Sequence, residues 1–308
     1  MQRYASIDVG TNTVKLTIVE RDSQGGFHRV LDTSRTTRLG ERMVGGRLQE
    51  VAIRRTLEAL SDYAALCREE AVQEIVAVGT AALRDAVNQE EFILRAREVG
   101  VEVRPISGEQ EARLSYLAVR RDPLWRDAQS LLVIDIGGGS TEFILGQPGS
   151  HDMDGRISLP IGAVRLTEAA LHSNPPSIRQ INDANRLAAE VLKGLTLPEE
   201  NYQAVGVGGT FVNMAAVSQR SADPDPERLH GWVLTLPEIE AQIETYAART
   251  VEQRKQIVGL DPARADIILG GAILLAQALF RCRLHAVAVS CHGLRWGLLY
   301  DRFVRDAA

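Results

Sequence analysis

Lysine is almost missing from this 308-residue sequence, where Lys15, Lys193 and Lys255 stand against 32 arginines. Cysteine is equally scarce. Cys67, Cys282 and Cys291 are odd in number, far apart and form no CxxC pair, which argues against a disulfide framework or a structural zinc site. No apolar run approaches the ~18 residues that a membrane span needs, and residues 1–6 lack the hydrophobic stretch of a signal peptide. The expectation is a cytoplasmic protein with no membrane partner. The histidines contain no HxxxH or HxE spacing that would announce a metal helix. The net charge of −5 disfavours a general nucleic-acid binder, so no DNA partner is expected. Arginine in place of lysine suits bidentate phosphate contacts, although arginine-rich codon usage explains the bias more simply.

What the sequence does contain is an internal repeat. Ile7-Asp8-Val9-Gly10-Thr11-Asn12-Thr13 aligns with Ile134-Asp135-Ile136-Gly137-Gly138-Gly139-Ser140 at an offset of 127 residues. In each copy a second apolar stretch follows, Val14 to Val19 and Thr141 to Leu145. Strand, tight polar or glycine turn and strand make a hairpin. The offset is too large for a solenoid period and implies two domains of similar design. Around this frame, apolar spacing predicts helices over 49–69, 89–99, 177–193, 237–248 and 265–280, and another from Ser107, where Ser107-x-x-Gln110 resembles a capping box. Strands are expected at 75–78, 101–104, 131–134, 204–207 and 286–290, with a surface loop at 221–226. Such a mixture implies α/β layers with ligands at strand ends.

The glycine turns carry the chemistry. In Gly137-Gly138-Gly139-Ser140-Thr141 the backbone can approach an anion closely, and its N–H groups can converge on phosphate oxygens. Asp135, at the strand end, offers a carboxylate to Mg²⁺, which takes oxygen ligands alongside phosphate. Neither the P-loop spacing nor a dinucleotide fingerprint is present. A third cluster, Gly206-Val207-Gly208-Gly209-Thr210, precedes an apolar helix beginning near Phe211. A glycine turn feeding a helix N-terminus suits an anion or a nucleotide, and it equally suits plain helix–strand packing.

Taken together, these elements resemble the actin-like phosphotransferase superfamily, and more closely the exopolyphosphatase/guanosine pentaphosphate phosphatase family. The residues that carry the finer match are Ile7 to Thr13, Gly79 to Arg84, Ile106 to Arg113, Ile134 to Glu142 and Leu159 to Arg165. His230-Gly231, Arg264 to Ile268 and Val289 to Arg295 continue it in order through nearly the whole sequence.

The resemblance implies an α/β fold of two actin-like (ribonuclease H-like) domains with a cleft between them. Domain I would span 1–123, completed by a C-terminal helix at about 297–308, and domain II 124–296. It implies that Glu111 is the catalytic glutamate, although by sequence alone Glu111 is one of several acids on a helix, with Glu109 as a neighbour. A carboxylate can hold a water in line with a phosphoanhydride and take its proton. It further implies that Asp135 and Glu142, with Asp8 as the symmetric counterpart, hold Mg²⁺, and that Arg84 pairs with a phosphate oxygen. Gly10, Thr11, Asn12, Thr13, Gly137, Gly138, Gly139, Ser140, Thr141, Gly208 and Gly209 complete the phosphate-binding set. His230 matches a family position without an evident role, and Trp125, Trp232 and Trp296 read as core or domain-contact residues.

The implied activity is Mg²⁺-dependent removal of the terminal orthophosphate from linear polyphosphate, with the chain end enclosed as the domains close. Conversion of guanosine pentaphosphate (pppGpp) to the tetraphosphate, a stringent-response activity, is the alternative. An actin-like kinase and a non-catalytic sensor of alarmone or polyphosphate are more distant ones. Longer family members carry an additional helical region, and without it weaker retention of the polyphosphate chain or a preference for short substrates is expected. A homodimer is also an expectation of the resemblance.

Overall fold

The computed structural model describes residues 2–23, 26–146, 153–197 and 201–304. The chain begins with β1 (Gln2–Val9), β2 (Thr13–Arg21), β3 (Phe27–Thr36) and α1 (Glu50–Glu69). It continues through β4 (Glu74–Gly79), α2 (Ala81–Arg84), α3 (Gln89–Glu98), β5 (Val103–Pro105) and α4 (Gly108–Arg120). Next come β6 (Leu131–Ile136), β7 (Thr141–Gly146), β8 (Gly155–Leu159), α5 (Ala163–Ala170), α6 (Ile178–Leu192), β9 (Gln203–Val207) and α7 (Gly209–Gln219). The remainder is α8 (Pro226–Leu229), β10 (Val233–Thr235), α9 (Leu236–Ala247), α10 (Val251–Arg254), a 3-10 turn (Pro262–Arg264), α11 (Ile268–Arg281), β11 (Ala286–Ser290) and α12 (Leu294–Phe303).

Contacts divide the chain into two compact units, with crossings at Ala118/Val119 and Gly293/Leu294, so that the stretch from Leu294 belongs with the first unit. The divisions expected from sequence, at 123/124 and 296/297, fall a few residues later. Of the helix expected over 297–308, residues 305–308 lie outside the described residues.

In the first unit the strand order is β3-β2-β1-β4-β5, antiparallel through the hairpin and parallel from β1 onward. The second unit repeats that order as β8-β7-β6-β9-β11 and adds β10 antiparallel at the edge. This is the ribonuclease H-like pattern twice. The hairpins form because β-branched and apolar residues dominate both faces: Ile7, Val9, Leu16 and Ile18 are fully buried in one, Ile134, Phe143 and Ile144 in the other. Each fully buried side chain of this size contributes about 1.5–3 kcal/mol.

Helix starts follow capping chemistry. The Ser107/Gln110 box forms as expected, with the Ser107 amide donating to Gln110 Oε1 at 2.9 Å and the Gln110 amide to Ser107 Oγ at 3.1 Å. Ser177, Thr235 and Thr250 open α6, α9 and α10 in the same way. Helix α11 is buried on nearly every side and forms the centre of the second unit, as a helix apolar all round must. In the first unit α12 crosses α4 so closely that a Cβ at Gly297 would overlap the Leu114 carbonyl. The three cysteines form no disulfide, and burial pushes the Cys67 and Cys282 thiols up to about 11. Among the described residues no helix is long and apolar enough to cross a membrane.

Candidate active site

The two hairpin turns are built alike. Gly10 N–H donates to Thr13 O at 3.1 Å, and Gly137 N–H donates to Ser140 O at 3.0 Å. A Cβ at Gly10 would stand 2.8 Å from Thr13 O, which is why the chain has glycine there. Neighbouring segments hold the turn carbonyls. Asn12 O accepts from the amides of Thr37 and Arg38, and Gly138 O from those of Val164 and Arg165. Each turn therefore exposes its two central residues, Thr11 and Asn12 in one and Gly138 and Gly139 in the other. Among the described residues the amides of these four make no backbone hydrogen bond. Two adjacent exposed N–H groups held in place on a rigid hairpin are an anion-binding element.

The residues of the expected phosphate set sit differently in these turns. Gly10 and Gly137 spend their amides closing the turns. Thr141 is fully buried with its hydroxyl donating to Ile161 O at 2.7 Å. Thr13 and Ser140 are half-buried and supply the carbonyls that accept the turn bonds.

The carboxylates sit at equivalent places on the hairpins, where their cross-strand neighbours differ in charge. Asp8 pairs with Lys15 across β1 and β2, with Nζ 3.8 Å from Oδ2. Asp8 is buried and its Oδ1 has no hydrogen-bond partner. Burial raises its carboxyl above the usual range, and the Lys15 and Arg295 charges pull it partly back. In the second unit Asp135 faces Glu142, so two acids share one face of β6 and β7. Glu142 accepts from Ser158 Oγ at 2.8 Å and lies 3.6 Å from Arg156 Nη2. Asp135 Oδ1 reaches to 3.1 Å from where a Cβ of Gly208 would be, so the aspartate borders the third glycine turn.

That third turn starts α7 two residues earlier than its apolar run suggests. Gly208, at φ +98°, takes a conformation that favours glycine. Arg264, which the sequence offers only as part of the family match and without a role in the site, lies beside this turn. A side chain at Gly209 would overlap its guanidinium, so this arginine lies flat against the first residue of α7. The signal was Gly209 itself, a residue whose absent side chain leaves room for another group. Burial lowers the Arg264 pKa and the charges of Asp261 and Asp266 oppose that shift.

In the first unit Arg84 and Glu111 come together, with Nη1 3.7 Å from Oε2. Arg84 is held in place by the Ile106 carbonyl at 3.3 Å and Asp85 Oδ1 at 3.2 Å. Glu111 stands in the first turn of α4, about one-third exposed. Glu109 enters no ion pair among the described residues.

His230 acquires a place outside this chemistry. Its Nε2 lies 2.9 Å from Asp122 Oδ2, which also takes His292 Nδ1 at 2.9 Å, while Asp122 Oδ1 accepts from the Leu124 amide at 3.0 Å. Among the described residues these three groups converge as metal ligands do. The hydrogen bonding argues otherwise. His230 Nδ1 accepts from the Cys291 amide at 3.2 Å, which puts the ring proton on Nε2, the atom a metal would need bare. The cluster is a hydrogen-bonded pin, with the buried Trp125 edge-on to His230 at 5.0 Å.

Two ribonuclease H-like sheets, each opening on a hairpin whose turn presents free amides, define an actin-like α/β protein built to handle phosphate. The Ppx/GppA phosphatase family pattern matches residues 17–305. The chain is 33% identical over 290 residues to Exopolyphosphatase 2 of Mycobacterium tuberculosis, covering 90% of each. A crystal structure of the Aquifex aeolicus Ppx/GppA phosphatase superposes with a TM-score of 0.83 at 35% identity, over 99% of this chain and 100% of that one. An exopolyphosphatase from Cytophaga hutchinsonii gives 0.85 at 27% identity, over 98% of each. The chain belongs to the Ppx/GppA phosphatase family.

Proposed function

We propose that the protein is a cytoplasmic exopolyphosphatase that releases orthophosphate from the end of linear polyphosphate. The observation that carries the reading is the pair of exposed turns, 11–12 and 138–139, whose amides await an acceptor in both units. A polyanion with regularly spaced oxygens supplies acceptors of that kind. Arg84 contributes a guanidinium to a phosphate oxygen, and Glu111 beside it holds the attacking water and takes its proton. Arg84→Ala is expected to lower kcat/KM by about 10- to 100-fold, on the scale of a lost charged contact to a reacting phosphate. Arg84→Lys should recover part of it, since the ammonium restores the charge without the fork.

Mg²⁺ fits the second unit best. Asp135 and Glu142 are an all-oxygen donor pair facing each other across β6 and β7, with Arg156 answering part of the Glu142 charge. Asp8, with its unpartnered Oδ1, is the third candidate, although Lys15 already answers part of its charge. The ion, when bound, would neutralise charge on the terminal phosphates. The protein's own residues orient the chain end and deprotonate water.

Gly208 and Gly209 at the start of α7, with Arg264 against them, extend the phosphate track. Gly209→Ala forces the guanidinium aside, and KM for polyphosphate is expected to rise about tenfold, equivalent to about 1.4 kcal/mol, with kcat nearly unchanged. The same element supports a second reading, hydrolysis of guanosine pentaphosphate, because a helix N-terminus with a flat arginine suits a nucleotide polyphosphate. Orthophosphate release from each substrate, at matched phosphate concentration, separates the two. A faster reaction with guanosine pentaphosphate would reverse the assignment.

A further inference from the structure

Arg254 is a buried cation whose setting demands explanation. Only 3% of it is exposed, and among the described residues it forms no ion pair. Its Nε donates to Tyr246 O at 2.7 Å and its Nη1 to Ala265 O at 3.3 Å, while Nη2 is buried with no partner. The Asp266 charge offsets part of the cost of placing a guanidinium in the interior, while its hydrogen bonds go to two neutral carbonyls. A second long-range tie holds the same segment. Asn213, on α7, donates from Nδ2 to Gly209 O at 2.9 Å and accepts the Asp261 amide on Oδ1 at 2.8 Å. Asp261 then caps the 3-10 turn, accepting the Ala263 amide on its side chain and the Arg264 amide on its carbonyl. Gly259, at φ +91°, lets the chain press against Ala216 of α7, where a side chain would overlap. Everything in this segment points one way, towards fixing residues 261–265 against α7.

We propose that Arg254 is a positioning residue for substrate binding: by gripping the carbonyl of Ala265, the residue after Arg264, it holds the Arg264 guanidinium over Gly209 for a phosphate of the polyanion. This rests on the reading of the α7 start as a phosphate subsite. Arg254 itself does not touch substrate. Its two donors reach main-chain atoms of different segments at once, which a lysine ammonium on a single flexible stem does not reproduce in the same geometry.

The test is a kinetic cycle with linear polyphosphate, using Arg264→Ala, Arg254→Met, their combination and Arg254→Lys, with thermal melting recorded for each. Arg264→Ala should raise KM about tenfold with kcat within about threefold, the pattern of lost uniform binding. Arg254→Met should raise KM by a similar factor, and the double variant should be no worse than Arg264→Ala alone, because the two residues act as one unit. Arg254→Lys should fall between wild type and Arg254→Met, and it carries the test by itself if Arg254→Met gives no cooperative melt. A lower melting temperature at residue 254 with KM unmoved, or KM factors that multiply in the double variant, would overturn the positioning role. Arg264→Ala with wild-type KM would instead overturn the subsite reading, and the role of Arg254 with it.

Discussion

Replacing Glu111 by Ala is expected to reduce turnover by at least ~100-fold, the usual scale for removing a general base, with binding of the phosphate chain retained. The turn amides and the proposed base are different parts of the fold. The turn amides at 11–12 and 138–139 belong to hairpins, whereas Glu111 projects from the first turn of α4. Single-turnover phosphate release together with a polyphosphate binding isotherm reads the two separately. Glu109→Ala is the control on the same helical turn, and its turnover should stay within about twofold of wild type, since surface changes of this sort are small. Loss at position 109 with none at 111 would transfer the base to Glu109. A loss of binding and turnover together at position 111 would mean that Glu111 supports the site without acting as its base.

The largest expected effect on stability is at Asp122. Asp122→Ala leaves two imidazoles and the Leu124 amide without their shared acceptor, and a broken buried pair of this kind costs about 3–5 kcal/mol. Asp122→Asn keeps an oxygen and should lose about half as much. Burial alone would raise the Asp122 carboxyl, but hydrogen bonds from His230, His292 and the Leu124 amide outweigh it and hold the carboxyl well below the usual range. A depressed carboxyl stabilises the fold above its unfolded pKa, near 4, and that contribution fades as pH falls towards the folded value. The gap between wild type and Asp122→Asn in urea midpoints should therefore be full at neutral pH and shrink as the pH drops from about 5 to 3, in the window that linkage sets. A gap independent of pH across that range would separate the stabilisation from the carboxylate charge. Asp122 and His292 lie within a few residues of the two crossings at Ala118/Val119 and Gly293/Leu294.

The parts of this protein that were legible in its sequence are those encoded by neighbours. The hairpins at Asp8 and Asp135 could be read because apolar strands flank a turn of small residues, and the α4 start because Ser107 and Gln110 are three apart. β3 escaped notice since its residues alternate between half-buried and exposed and many are polar, the signature of a strand at a sheet edge. β8 is half-buried or exposed except at Leu159, so it shows none of the apolar run that marks β9 and β11. The free amides of the turns were foreseeable in kind. Which amides are spent on the turn itself depends on the Gly10–Thr13 and Gly137–Ser140 bonds, and the carbonyls depend on residues 37–40 and 163–165. The charge reversal between Lys15 and Glu142 was written in the repeat, yet it acquires meaning only when the registers place each opposite its aspartate. Arg264, Arg254 and the Asp122–His230–His292 pin join residues far apart in sequence, so no local pattern announces them.

Orthophosphate release from linear polyphosphate, followed with the wild-type protein in Mg²⁺ and again after chelation, tests the central claim most directly. The account predicts release in Mg²⁺, faster than from guanosine pentaphosphate at equal phosphate, and near-complete loss with the chelator. Folded protein that releases no orthophosphate from polyphosphate in Mg²⁺, or that passes the γ-phosphate of ATP to an acceptor instead, would contradict it.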